Sequence, residues 1–225
     1  MKSNNLTIFK EKLLHKGAEA SLYYGHWFNK EVIFKQRIPK KYRIEKLDRA
    51  IRNLRTIKEA RALIRVKEYG ICVPQVYEIN TDNSTIIMKY IEGQKLKNLL
   101  NVIDEKTKDR YFQILGDYIA KLHQTGQIHG DITTSNVIIT ETGKLFLIDF
   151  GLYENSDSIE DKSTDIHLLK RVLISSHGQD YNLCYQAFLT GYRDSYIDQK
   201  ECNRIINNIA VIETRGRYIK KEQRQ

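Results

Sequence analysis

The stretch Ile128–Thr140, IHGDITTSNVIIT, sets His129, Asp131 and Asn136 at the spacing H-x-D-x-x-x-x-N, and Asp149-Phe150-Gly151 begins nine residues past Thr140. Three readings compete for this pattern. It is chance, or a turn in which Asp131 and Asn136 cap backbone amides, or a site that handles nucleotide phosphates and magnesium. The choice depends on what stands elsewhere in the chain, and in what order.

Upstream, Leu6–Leu14, Ser21–Trp27 and Lys30–Arg37 read as successive short strands, with turns at Lys16-Gly17 and near Asn29. Ile44–Lys67 carries Leu47, Ile51, Leu54, Leu63 and Ile64 among many charges, without Gly or Pro, and reads as helix, whole or broken in two. Gly70 ends it and Pro74 forbids immediate resumption. Val76–Ile79 and Thr85–Ile91 read as two further strands around Thr81-Asp82-Asn83. After Glu92-Gly93 the texture turns helical: Tyr111, Leu115, Tyr118, Ile119 and Leu122 recur at helix spacing and Gly126 supplies a stop. Val137–Thr140 and Lys144–Ile148 form a small hairpin across Glu141-Thr142-Gly143, and from Lys162 to about Ile212 the chain is mostly helical, with a polar tail beyond. The fold class is α+β. A strand-rich amino-terminal lobe of five strands plus helices takes residues 1–91, and a helical carboxyl-terminal lobe with the loop motif and a basic tail takes residues 92–225.

Four chemical elements then stand in one order. Lys35 ends the apolar run Val32-Ile33-Phe34, Glu59 lies in the following helix, Asp131 and Asn136 come next, and Asp149 is last. Phosphoryl transfer from ATP needs a lysine on the α and β phosphates and a carboxylate to pin that lysine. It also needs hard oxygen ligands for magnesium and an aspartate to orient the attacking hydroxyl or water. Each motif alone is weak, but their ordered combination with the right strands and helices between is strong.

On these residues the chain resembles a eukaryotic-type protein kinase reduced to its minimum, and specifically the PRPK-type Ser/Thr kinase/ATPase subunits of the KEOPS/EKC tRNA-modification complex. Further matches are Lys16-Gly17-Ala18-Glu19-Ala20, Lys41-Tyr42-Arg43 with Leu47-Asp48, and Arg55-Thr56 before Glu59-Ala60. Met88–Gly93 (MKYIEG), HGDITTSN, IDFG and Ile159-Glu160-Asp161-Lys162 before Asp165 complete the set, which spans nearly the whole chain.

The resemblance implies a protein-kinase-like bilobal fold with a minimal helical carboxyl-terminal lobe. It implies ATP and Mg2+ as cofactors, with Asp131 and Lys35 as catalytic residues, Glu59 as the ion-pair partner of Lys35, and Asn136 and Asp149 as metal ligands. Lys16, Gly17 and Ala18 would cover the phosphates. Adenine would lie between Ile33 and Ile138, with Met88 behind it and backbone groups of Lys89 and Ile91 on its edge. The implied partners are a Kae-type threonylcarbamoyltransferase subunit, a small regulatory KEOPS subunit on the amino-terminal lobe, and tRNA.

The departures are as informative. The phosphate-covering loop has one glycine, Gly17, where three are usual, and it carries Glu19, a carboxylate that a developing anion would disfavour. Gly130 replaces the arginine of H-R-D, and Thr133 stands where many kinases place a lysine. Only thirteen residues, Leu152–Thr164, separate Gly151 from Asp165, with no A-P-E, which leaves no length for a free-standing peptide-docking groove. His129 reads as a structural histidine behind the loop. Asp165 reads as either the buried support of the loop's backbone or a helix-start carboxylate.

Composition bounds the partners. The chain has 225 residues, 41% hydrophobic and 29% charged, as an ordinary soluble globular protein does. No apolar run approaches the roughly 20 residues of a membrane span, and the amino-terminal MKSNNLTIFKEK lacks the apolar core of a secretory signal. The three cysteines, Cys72, Cys184 and Cys202, lack C-x-x-C spacing, which points to reduced thiols in the cytoplasm. A net charge of +9 favours polyanionic partners. The basic stretch Arg37–Arg65 reads as an RNA-facing surface or a solvated helix face, and the tail around Arg215, Arg217, Tyr218 and Lys220 as a tRNA contact or a disordered terminus. Two rival functions stay open: a small-molecule kinase of the aminoglycoside or choline type, and a non-catalytic scaffold that binds nucleotide only to hold its shape.

Overall fold

The computed structural model describes the backbone of residues 8–222 and the side chains of residues 8–215. The chain divides into two compact units, Met1–Glu92 and Gly93–Gln225.

The first unit is built on one antiparallel sheet. Its strands are β1 (Ile8–Lys16), β2 (Ala20–Trp27), β3 (Lys30–Arg37), β4 (Val76–Asn80) and β5 (Thr85–Lys89), in the order β1-β2-β3-β5-β4. Successive side chains alternate between faces, so Val32 and Phe34 join Ile87 in one apolar cluster, onto which Tyr23, Trp27 and Tyr77 close. Ile33, Lys35 and Arg37 take the opposite face. The edge strand β1 begins at Ile8, since Leu6 and Thr7 lie outside the described residues, and it runs to Lys16; β5 stops at Lys89, short of the expected Ile91.

Helix α1 (Glu45–Glu68) is continuous, not broken in two. Its orientation departs from what its apolar residues suggest. Leu47, Leu54 and Ile64 are exposed, whereas the buried side carries Asp48, Thr56 and Glu59 with Ala60, Ala62, Leu63 and Val66. The polar members are satisfied. Asp48 accepts from Arg52 Nε at 2.6 Å and from Lys40 N at 3.2 Å, and Thr56 Oγ1 donates to the Arg52 carbonyl. These bonds tie the segment before the helix to its first turns, although Ile44 at the N-cap gives no side-chain bond.

The second unit opens with β6 (Gln94–Lys95), the short helix α2 (Leu96–Leu99) and the long helix α3 (Glu105–Gln124). Asp104 caps α3 by accepting from Thr107 N at 2.8 Å, and Gly126, at φ +66°, ends the exit turn. Next come β7 (Gln127–Ile128), a single 3₁₀ turn at Thr134–Asn136, β8 (Val137–Ile139), β9 (Leu145–Leu147) and β10 (Glu154–Asn155). Strands β6-β8-β9 form one small antiparallel sheet, and β10 pairs β7. Helices α4 (Ile159–Ser176), α5 (Tyr181–Ser195) and α6 (Gln199–Glu222) complete the unit. Helix α4 starts three residues before the expected Lys162, because Ser158 accepts from Glu160 N and Asp161 N as its N-cap. Helix α6 carries on through residues expected to form a tail beyond Ile212; the side chains of Arg217, Tyr218 and Lys220 lie outside the described set.

The core of this unit is the contact between α3 and α5. Phe112, Leu115, Ile119, Leu122 and Phe188 are completely buried, and each such side chain contributes about 1.5–3 kcal/mol. Two glycines let the backbones close up. A Cβ on Gly116 would stand 2.1 Å from the Phe188 carbonyl oxygen, and one on Gly191 would stand 2.0 Å from that of Gln113. In an exposed helix, Gly→Ala gains about 0.5–1 kcal/mol. Here the steric clash outweighs that gain, so Gly116→Ala is expected to lower unfolding free energy by about 1–3 kcal/mol, measured by urea denaturation.

Candidate active site

In the first unit the site residues gather around β3. Lys35 and Glu59 are buried side chains joined at 2.5 Å, Nζ to Oε1. Ile33 stands two residues before Lys35, hence on the same face, directly opposite Met88 of β5. Lys89 donates its N–H to the Gln75 carbonyl at 2.8 Å, so the backbone group it can offer a nucleotide is its carbonyl. Ile91 is buried just past that strand.

The Lys16-Gly17-Ala18 turn lies between β1 and β2 and is closed by Gly17 N donating to the Ala20 carbonyl at 3.0 Å. Lys40 Nζ reaches the Ala18 carbonyl. Glu19 is compensated: its carboxylate takes Arg55 Nη1 at 2.8 Å and its carbonyl accepts from Ile38 N. A carboxylate so engaged is tolerable beside a turn expected to cover phosphates, although the pair is exposed and individually weak.

Arg37 was not anticipated. It is buried, and its Nη2 reaches Glu59 Oε2 at 2.7 Å, so one carboxylate holds two cations. Strand alternation was the available signal, since Arg37 lies two residues beyond Lys35 and must share its face.

In the second unit a hairpin brings the remaining residues together. Strands β8 and β9 pair Val137 with Leu147, and Ile148 N donates to the Asn136 carbonyl at 2.9 Å. Asp149, the residue after Ile148, therefore leaves the ladder beside Asn136. It does so at φ +63°, a conformation rare for a non-glycine residue, and it accepts from Gly151 N at 3.2 Å. The Asn136 amide nitrogen donates to both the Asp131 carbonyl (3.0 Å) and Asp131 Oδ2 (2.8 Å). Its side-chain oxygen is thus the atom of the amide left for a cation. Ile138, half-buried, follows on β8.

This donor set fits magnesium. The ion binds one or two carboxylates plus substrate phosphates rather than an all-protein cage, and Asp149 with the Asn136 oxygen is such a partial set. Among the described residues no group of three or more His, Cys, Asp or Glu side chains is placed to hold a metal ion by itself.

The loop holding Asp131 is supported from below. Asp165, buried on the second turn of α4, accepts from His129 N and Gly130 N, each at 2.9 Å. It is the loop's support and no helix-start carboxylate. His123 of α3 bridges Asp165 Oδ2 (3.2 Å) and the Tyr192 hydroxyl of α5 (2.9 Å). Since the carboxylate can only accept, His123 Nε2 donates to it, and Nδ1 meets the Tyr192 hydroxyl. Burial pushes the Tyr192 phenol far above its ordinary value, so that hydroxyl keeps its proton.

His129 is structural, as its sequence context suggested. Its Nδ1 accepts from Asp131 N (3.2 Å) and its Nε2 faces the Ile148 carbonyl (3.3 Å), which assigns a neutral ring. Burial holds its pKa below the usual histidine range against the pull of Asp165, Asp149 and Asp131.

The missing arginine of H-R-D also has a physical reason. Gly130 sits at φ +82°, and a Cβ there would meet the Leu152 carbonyl oxygen at 2.4 Å. No side chain fits.

With this geometry described, comparison identifies the relatives. The model of the RIO domain family (RIO1) matches residues 28–169. The chain belongs to the RIO-domain family. It is 43% identical, over 92% of its length and 96% of the relative's, to the KEOPS complex subunit Bud32 of Pyrococcus abyssi. It is 39% and 38% identical to the probable bifunctional tRNA threonylcarbamoyladenosine biosynthesis proteins of Methanobrevibacter smithii and Methanocaldococcus jannaschii. It covers 92% and 93% of itself in those matches but only 37% of either bifunctional relative. RIO and Bud32 proteins are atypical kinases and ATPases, so a phosphotransferase-type, ATP-binding protein is what this membership supports. The α+β protein-kinase-like fold agrees with it. Among the described residues, no helix is long and apolar enough to cross a membrane.

Two outcomes follow from the loop's construction. Gly130→Ala should lower stability by about 1–3 kcal/mol through backbone strain and the Leu152 contact, read by thermal and urea unfolding. His129 stays neutral in the folded state, whereas the unfolded chain takes up a proton near pH 6.5. The unfolded state then binds more protons, so stability is full above that value and falls as pH drops towards about 5. His167 and His177, also lowered by burial, act in the same direction. Urea midpoints across this range should decrease on acidification; a flat profile would contradict the neutral rings.

Proposed function

We propose that this chain is an ATP- and magnesium-dependent atypical Ser/Thr kinase and ATPase that supports threonylcarbamoyladenosine modification of tRNA within a KEOPS-type complex. The observation that carries the reading is the Asn136 amide. Its nitrogen is committed twice to Asp131, and the Asn136 backbone carbonyl holds Ile148, the residue before Asp149, in a chain similar to a KEOPS Bud32 subunit over 96% of that subunit's length.

In this reading Lys35, oriented by Glu59, holds the α and β phosphates, and the turn Lys16-Gly17-Ala18 covers them. Ile33, Ile138 and Met88 contact adenine, and Lys89 and Ile91 meet its edge through the backbone. Asn136 and Asp149 hold magnesium, which when bound would neutralise charge developing on the phosphates. Asp131 orients the attacking hydroxyl or water, its carboxylate kept in place by the Asn136 amide and its backbone by Asp165 through the neighbouring residues. Fixed donors of this kind act by being in place before the reaction.

The bifunctional relatives support a direct partner. Only 37% of their length corresponds to this chain, so a second activity is joined covalently to the same module. A Kae-type threonylcarbamoyltransferase is the subunit proposed here, with a small regulatory subunit on the first unit. The tRNA contacts are assigned to the basic surface and the carboxyl-terminal segment, and the cell compartment to the cytoplasm.

Asp149→Ala should abolish ATP turnover while leaving the circular dichroism spectrum and melting profile near wild type. Turnover is to be measured with and without the transferase subunit, against a panel of protein and small-molecule acceptors. Undiminished turnover in the folded variant would refute the assignment. Efficient phosphorylation of an aminoglycoside or choline-like acceptor would favour the small-molecule kinase instead.

A further inference from the structure

Glu59 is shared. Its Oε1 takes Lys35 Nζ at 2.5 Å and its Oε2 takes Arg37 Nη2 at 2.7 Å, and all three side chains are at least nine-tenths buried. The two cations differ in kind. Lys35 has a flexible stem and a point charge able to swing, whereas Arg37 offers a rigid guanidinium that cannot lose its proton. Arg37 is also fixed along its backbone, because Arg37 N donates to the Ser84 carbonyl at 3.1 Å and the following Ile38 N donates to the Glu19 carbonyl. Ser84 in turn bonds Asn53 and Arg52 of α1 through its hydroxyl, and its carbonyl accepts from Thr56 Oγ1 at 3.3 Å.

We infer that Arg37 is a positioning residue for nucleotide binding: it latches Glu59, and with it α1, to β3, so that the carboxylate stays in place while Lys35 engages phosphate. The inference rests on the nucleotide-binding reading above and adds to it a residue that never touches the nucleotide. If a carboxylate is held by the lysine alone, the same lysine must both anchor the helix and bind the ligand. Here the two tasks are divided between two cations. Removing the latch lets Glu59 and Lys35 sample misplaced arrangements. The apparent dissociation constant then rises in inverse proportion to the competent fraction, while saturating nucleotide restores that fraction.

The test is calorimetric titration of the full chain with the non-hydrolysable probe Mg·AMP-PNP, alongside ATP turnover and thermal unfolding. Arg37→Met should weaken AMP-PNP binding by about tenfold, for a competent fraction near one tenth, with kcat at saturating ATP changed less than about threefold. Arg37→Lys should recover much of the binding. In a Glu59→Gln background, adding Arg37→Met should weaken binding no further, because the two residues act through one contact. Unchanged AMP-PNP affinity in Arg37→Met, even with a lowered melting temperature, would overturn the inference and mark Arg37 as packing alone. Full additivity with Glu59→Gln would overturn it as well. Wild-type binding of AMP-PNP without any turnover would sink the enzymatic reading and leave the latch standing.

Discussion

A carboxylate buried away from water must find donors for both oxygens or lose its charge. Asp165 finds them in two consecutive backbone amides, those of His129 and Gly130. That choice organises the second unit. The two amides belong to the residues just before Asp131, so the loop can adopt only conformations that aim both N–H groups downward. Gly130 is what permits it, through its positive φ and the absent Cβ against Leu152. His129, drawn into the same interior, uses its two ring nitrogens to join Asp131 to Ile148 and hence to the hairpin that delivers Asp149. Three helices converge on the support: α4 supplies Asp165, α3 supplies His123 and α5 supplies Tyr192. The close α3–α5 contact made by Gly116 and Gly191 accordingly sets where the Asp131 loop sits.

Much of this could be read in advance, and the reasons differ by element. Strand β3 falls at Lys30–Arg37, as the apolar run between charged ends indicated, because both ends are set by turn residues near in sequence. The hairpin around Gly143 and the stop at Gly126 were readable for the same local reason. Helix α1 was readable as helix but not in its orientation. Its leucines and isoleucines were the natural markers of a buried face, yet among them only Leu63 is buried, and Glu59, Asp48 and Thr56 are buried on the same helix because they find partners outside it. Periodicity reports which residues share a side, and burial is decided by partners that periodicity does not contain. The Asp165–His123–Tyr192 chain, across three helices, was out of reach for that reason, apart from Asp165 itself.

The two units solve the same electrostatic problem in opposite ways. In the first, a buried carboxylate is flanked by two cations, and the rigid one holds it for the flexible one. In the second, Asn136 uses its neutral amide to hold Asp131, which adds no competing cation beside Asp149, the ligand proposed for magnesium. A lysine or arginine in place of Asn136 would bind Asp131 more strongly but would repel a divalent ion. Within the proposed function the amide holds Asp131 with its nitrogen and still has an oxygen for the ion, a double task that suits this residue type.

The short connection after Gly151 bears on which acceptor the site can use. Only seven residues, Leu152–Ser158, stand between Gly151 and the first residue of α4, and they are tied down on the way. Tyr153 N bonds the Phe150 carbonyl, Glu154 and Asn155 pair with β7, and Ser156 N bonds the Gly126 carbonyl. A segment so short and so fully bonded presents no extended strip on which a peptide could lie. It also carries no arginine to clasp a phosphate, and the arginine that would do so from the loop is excluded at Gly130. An acceptor hydroxyl on a protein would have to be delivered by another chain, whereas water needs no docking surface. Within the proposed function this geometry favours hydrolysis as the default outcome, and phosphorylation where a partner of the complex supplies the hydroxyl.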